Sequence, residues 1–581
     1  MAKSKIKTSS KAKPLGKTGS RFTRKNAWNN GGTFKNTDLL WYAVGVGEMQ
    51  KLALAEPNSW WFFAAMHGEY VDPDGHAYQI DPSRKPVYPD WQFIPSPPSI
   101  PIPKGTITPQ SLIPDYYIKE IYWNQCQHQS WYFLPWHRGY LAALEAQLRQ
   151  HIIDAGGPQD WALPYWNYFG GDGENFIPPA FTQSKIAGTN TRFDGQDNPL
   201  FVTARYGPDN QINGQIYVVI ANDKKHRSPA NENCQKDKSY AGDRIVPNYG
   251  GQRTLFNHGG STSGDIESNP HNLVHINVGG YVDIKDSNGN IIGQEYGLMS
   301  DPGTAALDPV FYLHHANIDR MWAIWNQSKK TNPTDYTNPT DPIWLDGPRS
   351  VGDREFLMPN KPSDITTKWI YTSNDVTDLG SMNYTYEDLP ATVSTTTAGA
   401  LTQKSKKLTI APKAAMAGEE NMNDNEPELI GANDGIVKIT NEGTKVTIRS
   451  NEAVKSNTAI QSKGFKSFAP ASETKSTDRI YLLLENIQGR MDATTLTVKA
   501  NGVTVGVAGL FGLRRASAPD GSHGGQGLSF SFDITDHIDE IFKDESIDVS
   551  HLKVEIETDH PIPHNENITI GKISLYRRGQ Q

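Results

Sequence analysis

The sequence predicts a multi-domain chain of mixed class, a mainly α-helical domain followed by an antiparallel β-sandwich or barrel. Three observations predict it. At 581 residues the chain is roughly four times the ~150-residue size of an ordinary domain, so more than one core is expected. All 14 tryptophans lie at or before Trp369, which assigns the large aromatic core to the front. Beyond residue 431 come short β-branched runs (IVKIT, TKVTIRS, DRIYLLLENI, TLTVKANGVTVGVAG, LSFSFDIT, HLKVEIET, ITIGKISLYRR) broken by Gly, Asn and Asp turns.

Residues 1–25 hold nine Lys or Arg and no acid, with almost nothing apolar, and read as a basic, solvated, flexible tail. Residues 26–390 form the helical domain, with helical patterns joined by Pro-rich loops such as YPDWQFIPSPPSIPIPKG. Residues 391–431, dominated by Thr, Ala, Lys, Asn and Glu, have little to bury and read as a flexible linker. Residues 432–581 form the β domain.

The net charge of −8 gives no overall basic field, so no nucleic-acid partner is expected. No apolar run of 18 residues occurs and the basic tail has no hydrophobic segment, so neither a signal peptide nor a membrane partner is expected. Two cysteines, Cys126 and Cys234, cannot make a disulfide framework, which together with the missing leader leads us to expect a cytoplasmic protein.

Histidines concentrate in the front. In HRGYLAALEAQLRQHI, Leu141, Leu144 and Leu148 recur at helical spacing, so His137 stands at the start of an amphipathic helix. His128 lies nine residues upstream, with Pro135 expected to break any helix between them, so the two sit on successive elements that can converge. In PHNLVHINVGG, His271 and His275 are four apart and project from one helix face. The segment DPVFYLHHANIDRMWAIW brings His314 and His315 at the entry of a third helix. The spacing of His560 and His564 is the same, but Pro561 and Pro563 forbid a helix there. There is no C-x-x-C for a structural zinc, and Asn272 stands where a zinc protease has glutamate. An all-imidazole set suits copper, or else zinc, iron or nickel.

The strings HQSWYFLPWHRGYLAALE, PHNLVHINVGG and DPVFYLHHANIDRMW resemble the two copper-binding signatures of the tyrosinase and polyphenol oxidase family, the type 3 dicopper proteins that include catechol oxidases and molluscan haemocyanins. The resemblance spans about residues 24 to 390. It implies a four-helix-bundle core and two copper ions, with O2 as co-substrate. One copper would take His67, His128 and His137, with His76 as the alternative to His67; the other would take His271, His275 and His315. It leaves His314 and Asp319 supporting the set from outside. Arg24, and Tyr384 and Tyr386 in MNYTYEDL, are similar to the arginine and the Y-x-Y motif that close this domain in plant and fungal members.

Further roles follow from the resemblance. Glu267 and Asn272 occupy the places of a glutamate and an asparagine that hold a water acting as base toward the phenol. A base helps because a phenol with pKa near 10 is protonated at neutral pH. Cys126 precedes His128 by two, the arrangement that carries a cysteine-to-histidine thioether in fungal and molluscan members. Pro302 stands where plant catechol oxidases often place Phe over the copper, which implies an open entrance lined by Ile276 and Pro302; Asn277 departs from the apolar residue expected beside His275. The expected activity is hydroxylation of monophenols and oxidation of o-diphenols to o-quinones. The alternatives are a catechol oxidase with diphenolase activity only, or a haemocyanin-like oxygen-binding protein. Small phenols and O2 are the expected partners. The segment VGVAGLFGLRRAS is similar to the one that such β domains insert into the active-site mouth, so Phe511 or Leu513 is expected over the coppers and the enzyme is expected to be latent.

Overall fold

The computed structural model describes residues 22–52, 56–68, 122, 125–221, 229–254, 261–347, 356–389, 427–450, 478–517, 525–542, 552–563 and 566–579. His76, most of the basic tail and most of the expected linker lie outside them.

The front of the chain is built on helices. α1 (Thr37–Gln50) starts where the Asn36 side chain accepts from the Asp38 backbone N–H. α2 (Trp60–Gly68, WWFFAAMHG) is apolar on every side and every residue in it is buried, as such a pattern demands. α3 (Phe133–Asp154) contains Pro135 in its first turn. The proline therefore does not break this helix as expected; a first-turn position needs no N–H donor. His128 still falls on the preceding loop. A π-helical turn over Glu267–His271 leads into α4 (Asn272–Gly279). α4 ends at Gly280 (φ 61°), where a Cβ would lie 2.3 Å from the Gly207 carbonyl, so the turn requires glycine. A hairpin follows, then the short helix α5 (Pro302–Ala305), capped by the Asp301 side chain on Gly303 N–H, and then α6 (Val310–Gln327).

A clasp joins the two ends of this region. Strand β1 (Phe22–Arg24) pairs in parallel with β2 (Tyr384–Tyr386), setting Phe22 opposite Tyr384 and Arg24 opposite Tyr386. The expected tail of residues 1–25 thus ends earlier, because Phe22 to Arg24 already have a strand partner. The buried Arg24 guanidinium donates to Glu145 (2.7 Å), Asp319 (3.2 Å) and the Tyr386 hydroxyl (2.9 Å). Asp319 also accepts from Arg138, Tyr384 and Tyr386, so one carboxylate ties three elements, β1, α3 and β2, to its own helix α6.

The β region starts at Glu428 rather than after the linker at 431. Its strands in chain order are β3 (Glu428–Ala432), β4 (Val437–Lys438), β5 (Thr444–Thr447), β6 (Arg449–Ser450), β7 (Arg479–Gly489), β8 (Thr495–Ala500), β9 (Val503–Gly509), β10 (Leu528–Asp533), β11 (Lys553–Thr558) and β12 (Ile568–Arg578); they form two antiparallel sheets of order β6-β3-β12-β7-β10, with β4 on β12, and β5-β11-β8-β9. Their buried faces share one cluster that includes Ile448, Leu482, Leu484, Val498, Ile556 and Ile573. Among the described residues neither sheet closes on itself, so the barrel alternative does not hold for them. Alternation along a strand reports a buried face and says nothing of closure.

The β region is docked on the helical one. Ile245 packs with Tyr481, Leu483 and Tyr576 in a separate buried cluster. Arg578 pairs with Asp243 at 2.7 Å, Arg244 pairs with Glu485, and Thr262 bridges to Ser529.

Candidate metal centre

Two groups of imidazoles meet between the helices. α2 supplies His67, the loop before α3 supplies Cys126 and His128, and α3 supplies His137; their ligand atoms all lie within 4.8 Å of one another. The π turn supplies His271, α4 supplies His275, and α6 supplies His314 and His315, again within 4.8 Å. The groups face each other: the His137 and His315 rings stack at 4.5 Å and 12°, and His128 lies 5.8 Å from His271 between centroids.

The second nitrogens decide what the rings can bind. His67 Nδ1 lies 3.1 Å from the Pro302 carbonyl, His137 Nδ1 2.8 Å from the Phe133 carbonyl and His275 Nδ1 2.8 Å from the Met299 carbonyl. A carbonyl can only accept, so each Nδ1 carries the proton and each Nε2 presents a lone pair. His128 Nδ1 meets the Glu267 carboxylate at 3.0 Å, and His271 Nδ1 meets Asn272 Oδ1 at 2.9 Å. The Nε2 atoms of His67, His128 and His271 are buried with no hydrogen-bond partner. His275 Nε2 and His315 Nε2 stand 3.4 Å apart. Buried lone pairs turned on one another are costly unless a cation lies among them. Burial, reinforced by neighbouring imidazoles, holds His67, His137, His271, His275 and His315 well below the usual histidine range, so they are neutral, as metal ligands must be. All-nitrogen groups of this kind fit copper.

Both members of the H-H pair belong to the second group, and their directions distinguish them. His315 faces the first group, 5.9 Å from His67 and stacked on His137. His314 stays on the second group's side, 5.3 Å from His271, 5.0 Å from His275 and 5.8 Å from Tyr168, and burial pushes its pKa down to about 3. Asp319, one turn beyond His315, anchors α6 through the clasp rather than touching the rings.

Glu267 does more than sequence reasoning foresaw. Its two oxygens accept from the Gln129 backbone N–H at 2.9 and 3.0 Å while Oε1 also meets His128. Asn277 is no part of a wall beside His275: its Oδ1 accepts from Val219 N–H at 2.8 Å, fixing a neighbouring segment to α4. Cys126 is a buried free thiol 3.7 Å from His137 Nε2, and burial pushes its pKa up.

The entrance is covered, not open. The Phe511 ring stacks on His275 at 4.0 Å and 15° and belongs to the core of the helical region although it comes from the β region. Leu513, the other candidate, packs in the β core instead. Gly509 lets the backbone approach: a Cβ there would lie 3.0 Å from Leu273 and 3.2 Å from Ile276. Pro302 lies 3.3 Å from the Cβ position of Gly512, so it borders the plug. The space left beside the plug, lined by His128, Glu267, Asn272, Pro302, Phe511 and Arg515, is about 30 Å³, enough for water and too small for a phenol. Sequence reasoning missed Asp301, Arg514 and Arg515, which latch the plug. Arg514 pairs with Asp301, and Arg515 Nε lies 3.7 Å from it. The doublet Arg514-Arg515 beside a Gly-flanked apolar tip was the available signal.

Comparisons with known proteins agree with this architecture. The family model for the common central domain of tyrosinase matches residues 57–328, and a domain of unknown function (DUF7868) matches residues 426–578. The chain is 28% identical over 561 residues to a tyrosinase of Hahella sp. (strain CCB-MM4), covering 95% of this chain and 99% of that one. It is 30% identical over 284 residues to the latent form of a chloroplastic polyphenol oxidase of Prunus armeniaca, covering 48% of this chain and 41% of that one. A solved latent aurone synthase (polyphenol oxidase) shares the fold at TM-score 0.51 and 17% identity, covering 98% of this chain and 92% of that one. Latent apple tyrosinase does so at 0.50 and 17%, covering 99% and 100%. Besides its two facing histidine groups, the chain therefore carries the common central domain of tyrosinase over residues 57–328 and is similar along 95% of its length to a tyrosinase.

Proposed function

We propose that the chain is a type 3 copper phenol oxidase that uses O2 to oxidise o-diphenols to o-quinones and to hydroxylate monophenols, and that it is latent while Phe511 is seated. The observation that carries this is the pair of facing imidazole groups in which His67, His128 and His271 have Nδ1 fixed on acceptors and Nε2 buried without a hydrogen-bond partner. One copper would be held by His67, His128 and His137, the other by His271, His275 and His315. Copper there supplies the redox chemistry that joins O2 reduction to phenol oxidation.

The chain's own residues do the rest. The acceptors on Nδ1 of His67, His128, His137, His271 and His275 keep these five rings in one tautomer and orientation, which raises their strength as ligands. Phe133, 4.5 Å from the His137 ring and 4.8 Å from His271, forms an apolar wall for an aromatic substrate. Glu267 and Asn272 border the cavity where a phenol must give up its proton, and a water held between them would take it. One observation favours the diphenolase-only reading: Glu267 already serves His128 and the Gln129 N–H. We also propose a thioether between Cys126 Sγ and a ring carbon of His128, in which the S–H and C–H bonds give way to one C–S bond and the two electrons and two protons pass to O2; a tryptic peptide lacking the two-hydrogen mass deficit would contradict it.

The test is oxygen uptake by copper-loaded chain with a monophenol and, separately, a diphenol, alongside metal analysis. Two coppers per chain and turnover of both substrates are expected. Diphenol turnover alone selects the catechol oxidase reading, and reversible O2 binding without turnover selects the carrier.

A further inference from the structure

Asp301 sits at the edge of the covered mouth. It directly precedes Pro302, which lines the cavity and whose carbonyl holds His67. Its Oδ1 accepts from Gly303 N–H at 2.8 Å as the cap of α5. That bond lies within the helical region, so the carboxylate stays in place whatever the β region does. Its ion-pair partners among the described residues are Arg514 and Arg515, both from the β region. Asp301 stands beside two residues that line the cavity, Pro302 and Arg515, so departure of the plug would strip its carboxylate of both guanidinium partners next to the opened space, where Glu267 is the charged group of the helical region on the wall.

The inserted segment carries an aromatic ring, Phe511, stacked on His275, and three residues later a guanidinium on Asp301. Ring over histidine and cation on carboxylate are the two contacts that a phenol with a protonated amine tail would make. We propose that Asp301 determines substrate specificity by binding the ammonium of an arylalkylamine phenol, and that the plug closes the site by occupying the same two positions. This rests on the phenol oxidase reading and narrows it to a substrate class. Phenols with a carboxylate tail would meet a like charge at Asp301 and are disfavoured.

The test uses the full chain opened by Phe511→Gly, Arg514→Gln and Arg515→Gln. Oxygen uptake is measured with three catechols that differ in the tail: dopamine (cationic), 4-methylcatechol (neutral) and 3,4-dihydroxyphenylpropionate (anionic). The ratio of kcat/KM for the cationic over the anionic catechol is expected to fall about tenfold when Asp301→Asn is added, mainly through KM, as loss of a charge-assisted contact implies. An unchanged ratio overturns the proposal. Asparagine also caps helices, so α5 keeps its start. Should the triple substitution not fold, Arg514→Gln alone provides the background. Binding of phenethylamine, which has no hydroxyl to oxidise, is followed by calorimetry in the same chains. Weaker binding in the Asp301→Asn chain supports the carboxylate even if no catechol is turned over and the oxidase reading falls; equal binding overturns it.

Discussion

The ring of Phe511 lies parallel to the imidazole of His275, 4.0 Å between centroids and 15° between planes, although the two residues belong to different structural regions. Burying such a ring contributes about 2 kcal/mol to docking of the β region. Phe511→Gly is therefore expected to raise kcat/KM for bulky phenols several-fold in the full chain, and steady-state oxygen uptake checks it. Unchanged activity would show that the ring does not limit access.

The carboxylate of Glu267 fixes the tautomer of His128. Glu267→Gln keeps a neutral acceptor and removes the charge. Copper at the first group is expected to bind about tenfold more weakly, read by chelator competition, and the ratio of monophenol to diphenol activity is expected to fall.

Arg24 is a buried cation among Glu145, Asp319 and two tyrosines. Arg24→Ala leaves Asp319 short of one partner and is expected to cost about 3 to 5 kcal/mol in unfolding of the helical region, measured by urea titration. Arg24→Lys should recover only part of it, because an ammonium cannot reproduce the forked contacts.

Asp237 and Asp265 are half-buried carboxyls set against each other. Burial, then the neighbouring Asp265 charge, raises Asp237, and burial pushes Asp265 up to about 6. Both folded values exceed the ~3.9 of an exposed aspartate, so the folded chain holds protons that the unfolded chain releases. Stability from this source is full below pH ~4 and is lost as pH rises through about 6. The thermal midpoint of Asp265→Asn is expected to gain on that of the parent chain between pH 4 and 7; a constant difference would refute the assignment.

The helical and β portions were legible because tryptophan and histidine distribution and the change from helical to alternating pattern are written in side chains. The histidine spacing likewise brought the two groups into view, since His271 and His275 on one turn must point the same way. What stayed hidden lies in the backbone and in long-range partners. The carbonyls of Phe133, Met299 and Pro302 that fix three of the rings have no sequence signature. Phe511 and Leu513 are only two apart, and which one enters the mouth depends on Gly512 at φ 82°, which turns the chain between them. Asn277 looked like an altered pocket wall because its partner, the Val219 N–H, is 58 residues away.

The clasp between Phe22–Arg24 and Tyr384–Tyr386 also sets an order of events during synthesis. Arg24 and Tyr386 are 362 residues apart, so at ribosomal speeds Arg24 waits roughly 20 to 70 s for its last partner. Every histidine of the two groups has been made by then. Phe511 is still 125 residues (511 minus 386) from being made, another roughly 6 to 25 s. The nascent chain thus passes through an interval in which the imidazoles can assemble and meet a metal ion before the residue that covers them exists.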